Sequence, residues 1–349
     1  MSIYILIASI IFLLSVISSF GNIKSTHKSY CIILIEFILI FLSGLRDGVG
    51  TDYDMYKKMF MGIRCADDVE PGFKNIVDLC LYLHIPADLS IFTLSLITIL
   101  LASKFIKSYS PLVFLSFLIF FCFGQFYFNT FNAVRQNIVT YWFLSSLYII
   151  RDKKFFKYFV TVLLMSYFIH LTALYLIVLY FICQYNVNKK MKLGAVFLFF
   201  IFGNIIIKLV ELSPYAIYLK FGDFAQTHIT SLQFLMFIFS AYLILKPVSF
   251  SDEKYNRIFD NLNLVNCCLL ATMFAVDGSP VVLILTRLLY YTTPIYIVLI
   301  PCMVNQCHVK TNKEIITIGI GVMFIAIMVS SLIINGVSYD MIPYESILF

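Results

Sequence analysis

Three arginines lie beside or inside long apolar segments of this 349-residue chain: Arg46, Arg135 and Arg287. A cation in such a place is costly, so it normally faces a cavity or a charged partner. The planar guanidinium group binds phosphate oxygens through paired, charge-assisted hydrogen bonds. The three arginines therefore predict an anion site, and a diphosphate is the ligand that suits them. The alternative is that each arginine pairs with a nearby acid, such as Asp47 or Asp277.

The composition decides what kind of element must carry these arginines. Hydrophobic residues make up 61% of the chain, charged residues only 13%, and the mean hydropathy is +0.93. A soluble domain has about 25% charged residues, because its surface faces water. The composition therefore predicts an all-α polytopic membrane protein. It excludes a soluble enzyme, a disordered scaffold and a nucleic-acid-binding protein.

Apolar segments long enough to cross a bilayer, about 20 residues each, predict about ten full spans. They lie at 2–20, 30–45, 87–103, 110–128, 130–150, 193–210, 231–245, 258–276, 281–303 and 314–337. The first span has no preceding basic residue and no small-residue cleavage site, so we interpret it as a retained helix. We expect residues 1–349 to form a single transmembrane domain.

The basic residues assign the sides of the membrane. Sixteen of the 25 Lys and Arg residues lie in one alternating set of loops, starting near Lys24, Lys104, Arg151, Lys189, Lys246 and Lys310. The positive-inside rule makes these loops cytoplasmic and places both termini on the outer side. The three arginines then lie at or near outer helix ends.

This alternation holds only if the apolar stretch 158–183 starts and ends in the cytoplasm. Its 26 residues are too many for one simple span and too few for two. We therefore predict a helical hairpin with His170 at its tip, facing the outer side or a buried cavity. A single tilted span is the alternative, but it would invert every later loop.

Two outer segments are expected. The segment 46–86 carries apolar residues at helical spacing and predicts two amphipathic helices on the outer interface, one with Tyr53, Tyr56, Phe60 and Ile63, the other with Phe73, Ile76, Val77, Cys80 and Leu83. The outer loop 211–230 carries Tyr215, Tyr218, Phe221 and Phe224, which fit a lid, a sugar platform or interfacial anchors. Glu36 lies mid-span on the cytoplasmic side, where we expect a structural hydrogen bond.

Several motifs, taken in order, resemble a known family. They are GLRDGVGTDYDMYKKMF at 44–60, EPGF at 70–73, NAVRQNIVTYWFLSSLYII at 132–150, FIHLTALYL at 168–176 and RLLYYTTPIYIVLIP at 287–301. Together they resemble the EpsG-like family of polysaccharide polymerases, the group that contains many Wzy O-antigen polymerases. The region 210–260 carries no such motif, as expected for a part adapted to a variable glycan.

The resemblance implies a metal-independent membrane glycosyltransferase of GT-C-like architecture in the bacterial inner membrane, with its active site and both termini on the periplasmic side. Such enzymes transfer a growing glycan from undecaprenyl diphosphate to a lipid-linked repeat unit, for O-antigen or a related surface polysaccharide. The implied partners are undecaprenyl-diphosphate-linked oligosaccharides, the lipid bilayer and a chain-length regulator. No cofactor and no nucleic acid are implied.

The implied reaction assigns roles to particular residues. Fixed cations stabilise the charge that develops on a departing diphosphate, and the acceptor hydroxyl needs a general base. Asp52-Tyr53-Asp54 fits the DxD metal motif by letters only, so no metal site is expected. The general-base candidates are Asp52, Glu70 and His170; the diphosphate- and sugar-binding candidates are Arg46, Arg135, Arg287, Tyr53, Tyr56, Gln136 and Tyr290.

Other membrane proteins fit parts of this pattern. An O-antigen ligase uses the same donor and would have a similar charge distribution, so only the opening motif favours a polymerase. A lipid-linked oligosaccharide flippase would need cations across both leaflets and a repeat between its halves. The special arginines lie on one side, and no repeat is evident. A membrane acyltransferase would need a catalytic His or Arg pair near the acyl donor, and none is evident.

Overall fold

The structure, a computed structural model, describes residues 1–21, 24–212, 216, 227–307, 309–337 and 339–348. Every regular element among these residues is helical, as predicted. The chain packs as two compact units. The first comprises Met1–Ser146, Phe159–Leu174 and Tyr296–Phe349, and the second comprises Leu147–Tyr158 and Tyr175–Ile295. The prediction of one transmembrane domain stays a prediction.

Among the described residues, the first unit contains eight helices from the first 146 positions and two from positions 296–348. They are α1 (Ser2–Phe20), α2 (Ser25–Gly44), α3 (Tyr53–Phe60), α4 (Pro71–Tyr82), α5 (Ala87–Tyr109), α6 (Val113–Cys122), α7 (Asn129–Asn132) and α8 (Val134–Ser145). After α9 (Leu147–Arg151) come α10 (Phe155–Phe168), which runs from the second unit into the first, and a 3₁₀ turn at Leu171–Leu174.

The second unit continues with α11 (Tyr175–Gln184), α12 (Lys189–Phe202), α13 (Ile205–Glu211), α14 (Ser231–Leu245), α15 (Glu253–Ala275) and α16 (Val281–Leu289). A 3₁₀ turn at Thr293–Ile295 follows. The chain then returns to the first unit with α17 (Tyr296–Asn305) and α18 (Lys310–Asn335).

Six helical segments among the described residues are long and apolar enough to cross a membrane: Ser2–Phe20, Ser25–Gly44, Ala87–Tyr109, Glu253–Ala275, Val281–Asn305 and Thr311–Asn335. The helices α12 and α13 are apolar and long enough only when taken together, and they are bent by 62° at the break between them, as in a broken span or a re-entrant loop. The protein is therefore a multi-pass membrane protein. The count of about ten spans stays a prediction, because α6, α10, α14 and the segment Leu171–Gln184 are shorter.

Contacts between α10 and α11 show that the chain reverses direction within 158–183, as predicted. The rings of Phe155 and Tyr180 lie 5.2 Å apart, and the Tyr158 hydroxyl donates to the Leu176 carbonyl at 2.9 Å. Earlier residues of α10 therefore pair with later residues of α11, which is the pattern of an antiparallel hairpin. The helices break at Ile169 and His170, where the sequence placed the tip.

Two predicted amphipathic helices are found as α3 and α4. Tyr53, Tyr56 and Phe60 are buried, and so are Phe73 and Val77. These residues form one cluster with residues of α5 and α8, so α3 and α4 pack against α5 and α8 within the first unit. Ile76 and Cys80 are half-buried, whereas Ile63 and Leu83 are exposed, because each of these two lies beyond the end of its helix.

Glu36 has the structural hydrogen bonds that its position predicted. Its Oε1 atom accepts from the Ser103 hydroxyl and from Lys107 Nζ, the latter at 2.6 Å, which ties α2 to α5. Tyr215, Tyr218, Phe221 and Phe224, the aromatic residues predicted for the outer loop 211–230, lie outside the described residues.

Candidate active site

Arg46, directly after α2, is buried with 2% of its surface exposed. Its guanidinium donates from Nε to the Val49 carbonyl at 3.0 Å and from Nη1 to the Ser95 hydroxyl at 3.2 Å. Nη1 also donates to the carbonyl and hydroxyl of Ser43, and Nη2 reaches the Phe131 carbonyl at 3.5 Å. These neutral acceptors of the chain itself occupy the guanidinium, which therefore holds the loop after α2 in shape.

Aromatic rings complete the surroundings of Arg46. Its guanidinium carbon lies 4.7 Å from the Phe131 ring centroid and 5.8 Å from that of Tyr53, distances typical of cation–π contacts. Within the described residues, no carboxylate oxygen lies within 4 Å of it. Burial lowers the pKa of Arg46 to about 10, so the group still carries its charge at neutral pH. The prediction that Arg46 binds a diphosphate stays a prediction.

The loop after α2 is fixed from two sides. Gly50 has φ +97°, and a Cβ there would lie 3.1 Å from the Phe131 carbonyl oxygen, so this backbone needs glycine. On the other side, the Asp47 N–H donates to the Glu345 carbonyl at 3.1 Å, and the Ile347 N–H donates to the Leu45 carbonyl at 2.9 Å. Sequence reasoning missed this C-terminal strap (residues 341–348), because nothing in its composition signals a partner.

An ion-pair cluster lies next to this loop. Lys57 Nζ lies 2.7 Å from Asp47 Oδ1 and 3.5 Å from Asp88 Oδ1, and the Tyr53 hydroxyl donates to Asp47 at 2.9 Å. The hydrogen bond from Lys57 holds the pKa of Asp47 below its usual value, and the same bond raises the pKa of Lys57. Burial is the main reason why the pKa of Tyr53 rises to about 12. Tyr53 is therefore a neutral hydrogen-bonding group at physiological pH.

Three of the residues that the sequence predicted for catalysis and binding, Glu70, Arg135 and His170, meet at the Glu70 carboxylate. Glu70 Oε2 accepts a hydrogen bond from Arg135 Nη1, while its other oxygen, Oε1, lies 2.8 Å from His170 Nδ1. Oε1 also accepts the Leu171 N–H at 2.8 Å. The side chains of Glu70, Arg135 and His170 are 11%, 15% and 21% exposed, so the triad lies at the edge of the packed interior.

Arg135 has two further contacts that are independent of Glu70. Its Nε donates to the Tyr56 hydroxyl at 3.1 Å, and its guanidinium carbon lies 5.3 Å from the centroid of the Phe73 ring. Tyr56 also lines a narrow crevice whose walls include Arg46 and Tyr53. Helices α3, α4 and α8 together therefore position the Arg135 guanidinium.

The EPGF motif explains how α4 reaches the hairpin tip. Glu70 stands at the N-cap of α4, and Pro71 occupies the first helical turn, where its missing N–H costs nothing. A Cβ on Gly72 would lie 2.7 Å from the Tyr167 carbonyl oxygen and 2.8 Å from Phe168 Cα, so only glycine permits this approach. The motif was visible in the sequence, although its pairing with Arg135 and His170 was not.

The remaining predicted residues lie elsewhere. Asp52 stands at the N-cap of α3 and is half-buried, and Gln136 is buried on α8. Arg287 is exposed near the end of α16 in the second unit, and Tyr290 follows that helix. The structure therefore brings Arg135, Glu70, His170 and Tyr56 together. A shared pocket for all three arginines stays a prediction.

Among the described residues, no three His, Cys, Asp or Glu side chains are grouped so as to hold a metal ion. The acidic and histidine side chains at the candidate site bond instead to a guanidinium, an imidazole and a backbone N–H. A guanidinium can bind an anion and an imidazole can accept a proton, so the site carries the chemical groups for both.

Comparison with known proteins confirms the family resemblance inferred from the motifs. The family model described as the EpsG family matches residues 28–346, which include every motif quoted above. No curated protein and no solved structure matches the chain. Because the match covers most of the sequence, this membrane protein belongs to the EpsG family, whose members are Wzy-type polysaccharide-polymerase-like proteins.

Proposed function

We propose that the protein is a Wzy-type polymerase, which transfers a growing glycan from undecaprenyl diphosphate to a lipid-linked repeat unit on the periplasmic side of the inner membrane. Membership of the EpsG family supports the reaction class. One observation carries the proposal: a single carboxylate, Glu70, contacts both the guanidinium of Arg135 and the imidazole of His170. The cation proposed for the leaving group and the base proposed for the acceptor thus contact the same carboxylate.

In the proposed step, the acceptor oxygen forms a bond to the donor sugar C1, and the bond from C1 to the phosphate oxygen breaks. The electron pair goes to the diphosphate, whose growing charge the Arg135 fork stabilises. Arg46 keeps the neighbouring loop in shape, and Arg287, Gln136 and Tyr290 remain predicted substrate contacts.

The proton of the acceptor hydroxyl goes to His170. An ionised carboxylate only accepts hydrogen bonds, so the proton of a neutral His170 lies on Nδ1, facing Glu70, and Nε2 is the basic atom. Glu70 fixes this tautomer and orients the ring, as a carboxylate does for histidine in other acid–base sites. Asp52, at the N-cap position of α3, remains the alternative base.

The test is complementation of a polymerase-deficient strain with Arg135→Ala, Arg135→Lys and His170→Ala. We expect each to reduce long-chain polysaccharide about 100-fold while single repeat units are still transferred, because each removes a group needed in the transition state. Arg135→Lys keeps the charge but loses the fork. Arg287→Ala and Tyr290→Phe, measured alongside, test the predicted contacts of the second unit.

Two controls match these variants. Arg64→Ala removes an exposed arginine that pairs with Asp68, and His84→Asn changes an exposed histidine in the left-handed region that asparagine tolerates. Immunoblots of membranes establish that every variant is present at equal abundance. A normal chain-length distribution from both Arg135→Ala and His170→Ala would refute the proposed function.

A further inference from the structure

Glu70 divides its two carboxylate oxygens between two parts of the first unit. Oε2 contacts Arg135 on α8, whereas Oε1 bonds to the hairpin tip through His170 Nδ1 and the Leu171 N–H. The bonds of Oε1 hold the carboxylate at the tip without help from Arg135. Loss of the Oε2 contact would therefore leave Glu70 anchored.

Arg135 is likewise held from more than one side. The Tyr56 hydroxyl accepts from Nε, and the Phe73 ring lies against the guanidinium face. Phe73 is fully buried and Tyr56 nearly so, so these two partners are rigid. The guanidinium therefore keeps its place when the carboxylate at Nη1 is exchanged for another anion.

The carboxylate occupies the position that a phosphate oxygen needs. A guanidinium presents its N–H groups in one plane and can bind an anion bidentately through Nη1 and Nη2 or through Nε and Nη2. Because Nε of Arg135 already donates to Tyr56, the edge left for an anion is the one with Nη1, where Glu70 lies. The side chains of Arg135 and Glu70 are 15% and 11% exposed, so their contact is reachable from one side. An incoming diphosphate must displace Glu70 Oε2 in order to bind Arg135.

We propose that Glu70 is an internal stand-in anion, which the diphosphate of a lipid-linked glycan displaces from Arg135 during binding. This inference rests on the proposed function, because it concerns the same site and the same donor. Displacement ends the contact between Glu70 and the Arg135 cation and brings a dianionic neighbour close to Glu70. The imidazole that Glu70 contacts then holds a proton more strongly, since nearby negative charge favours the imidazolium. Donor binding thereby turns His170 into a better base for the acceptor hydroxyl.

The rival interpretation is a permanent ion pair that only staples α4 to α8. The two interpretations predict different results for one measurement. If Glu70 competes with the diphosphate, its neutralisation tightens binding. If the ion pair is permanent, neutralising Glu70 loosens the site, and diphosphate binding becomes weaker or stays unchanged.

The experiment measures binding of farnesyl diphosphate, a short isoprenyl diphosphate without a sugar, to the full-length protein in lipid nanodiscs. The variants are Glu70→Gln, Arg135→Gln and, as a matched control, Asp68→Asn, which neutralises an exposed carboxylate on the same outer segment. Glutamine keeps an oxygen for the Leu171 N–H. We expect Glu70→Gln to lower the dissociation constant about tenfold, Arg135→Gln to abolish binding and Asp68→Asn to change nothing. Glu70→Gln should still lose polymer formation.

The possible outcomes separate the two proposals. Equal or weaker binding by Glu70→Gln, with Arg135→Gln binding lost, overturns the displacement and leaves the proposed function intact. Binding that survives Arg135→Gln overturns the proposed function as well. If Glu70→Gln does not fold, Glu70→Asp replaces it. The shorter carboxylate cannot reach both Arg135 and the hairpin tip, so tighter binding is again the expected result and unchanged binding the contrary one.

Discussion

Arg46 and Arg135 belong to the same unit and both contact residues of the segment 46–86, yet their surroundings differ. Arg46 is buried and donates to neutral carbonyls and hydroxyls of the chain itself. Arg135 is partly exposed and contacts a carboxylate. Neutral partners built into the fold indicate an arginine that holds structure. A charged partner at an accessible edge indicates one that can change partners. Position beside an apolar segment alone therefore does not define a ligand-binding arginine.

The largest expected effect is that of Arg46→Ala on stability. Truncation leaves several buried acceptors without a donor, and we expect a loss of about 3 kcal/mol or more in the free energy of unfolding. Thermal unfolding of purified protein and abundance in membranes measure this. Arg135→Ala should lose less, since its partner Glu70 keeps two other hydrogen bonds. A larger loss of stability from Arg135→Ala than from Arg46→Ala would contradict the distinction drawn between the two arginines.

The second-largest expected effect is that of Gly72→Ala, which changes the surroundings of Arg135 and not those of Arg46. The added Cβ would press on backbone atoms of Tyr167 and Phe168 and move the hairpin tip away from Glu70. We expect a cost of about 1–3 kcal/mol in stability and a reduction of polymer of about 100-fold, because small displacements of a catalytic group are costly.

Gly319→Ala is the matched control for this substitution. Gly319 lies in α18, and a Cβ there meets no atom within 4 Å. We expect it to retain full activity and stability. Wild-type polymer length from Gly72→Ala would show that the close approach of α4 to the hairpin tip is dispensable.

The smallest effect is that of Asp47→Asn at the margin of the Arg46 region. Asp47 is nearly half exposed, so its pair with Lys57 contributes less than about 1 kcal/mol. Because the folded-state pKa of Asp47 lies below its ordinary value of 3.8, this contribution is present at neutral pH. It disappears as the pH falls below 3.8 through the lowered folded-state pKa.

Unfolding midpoints of wild type and Asp47→Asn, compared from about pH 7 to about pH 3, check this prediction. Lys57 stays protonated throughout that range, since its pKa is raised. Asp54→Asn is the control, because Asp54 is exposed and reaches Lys58 only at 3.9 Å. A difference in unfolding midpoint between wild type and Asp47→Asn that grew larger as the pH fell would contradict the assigned ion pair.

The sequence predicted those features that depend on local spacing or on side-of-membrane charge. The helical fold, the hairpin around His170 and the two amphipathic helices follow from apolar periodicity and from basic residues at both ends of 158–183. The family motifs also identified Glu70, Arg135 and His170 one by one. All three are polar residues at or next to the ends of helices.

The pairings among these residues depend on contacts between distant parts of the chain. Glu70 meets Arg135 65 positions later and His170 100 positions later, and no periodicity encodes either separation. The expected diphosphate role of Arg46 rested on its charge, which says nothing about the neutral acceptors around it. Span lengths were also hard to predict, because α6 and α8 end inside apolar runs.

The C-terminal strap has a consequence for biogenesis. The backbone N–H of Asp47 bonds to the carbonyl of Glu345, about 300 residues later in the chain. At a synthesis rate of 5–20 residues per second, this separation corresponds to roughly 15–60 s of translation. During that interval the early helices are already synthesised while the loop that carries Arg46 lacks part of its backbone support. The loop that carries Arg46 therefore gains its full set of backbone hydrogen bonds only after residues 345–347 have been synthesised.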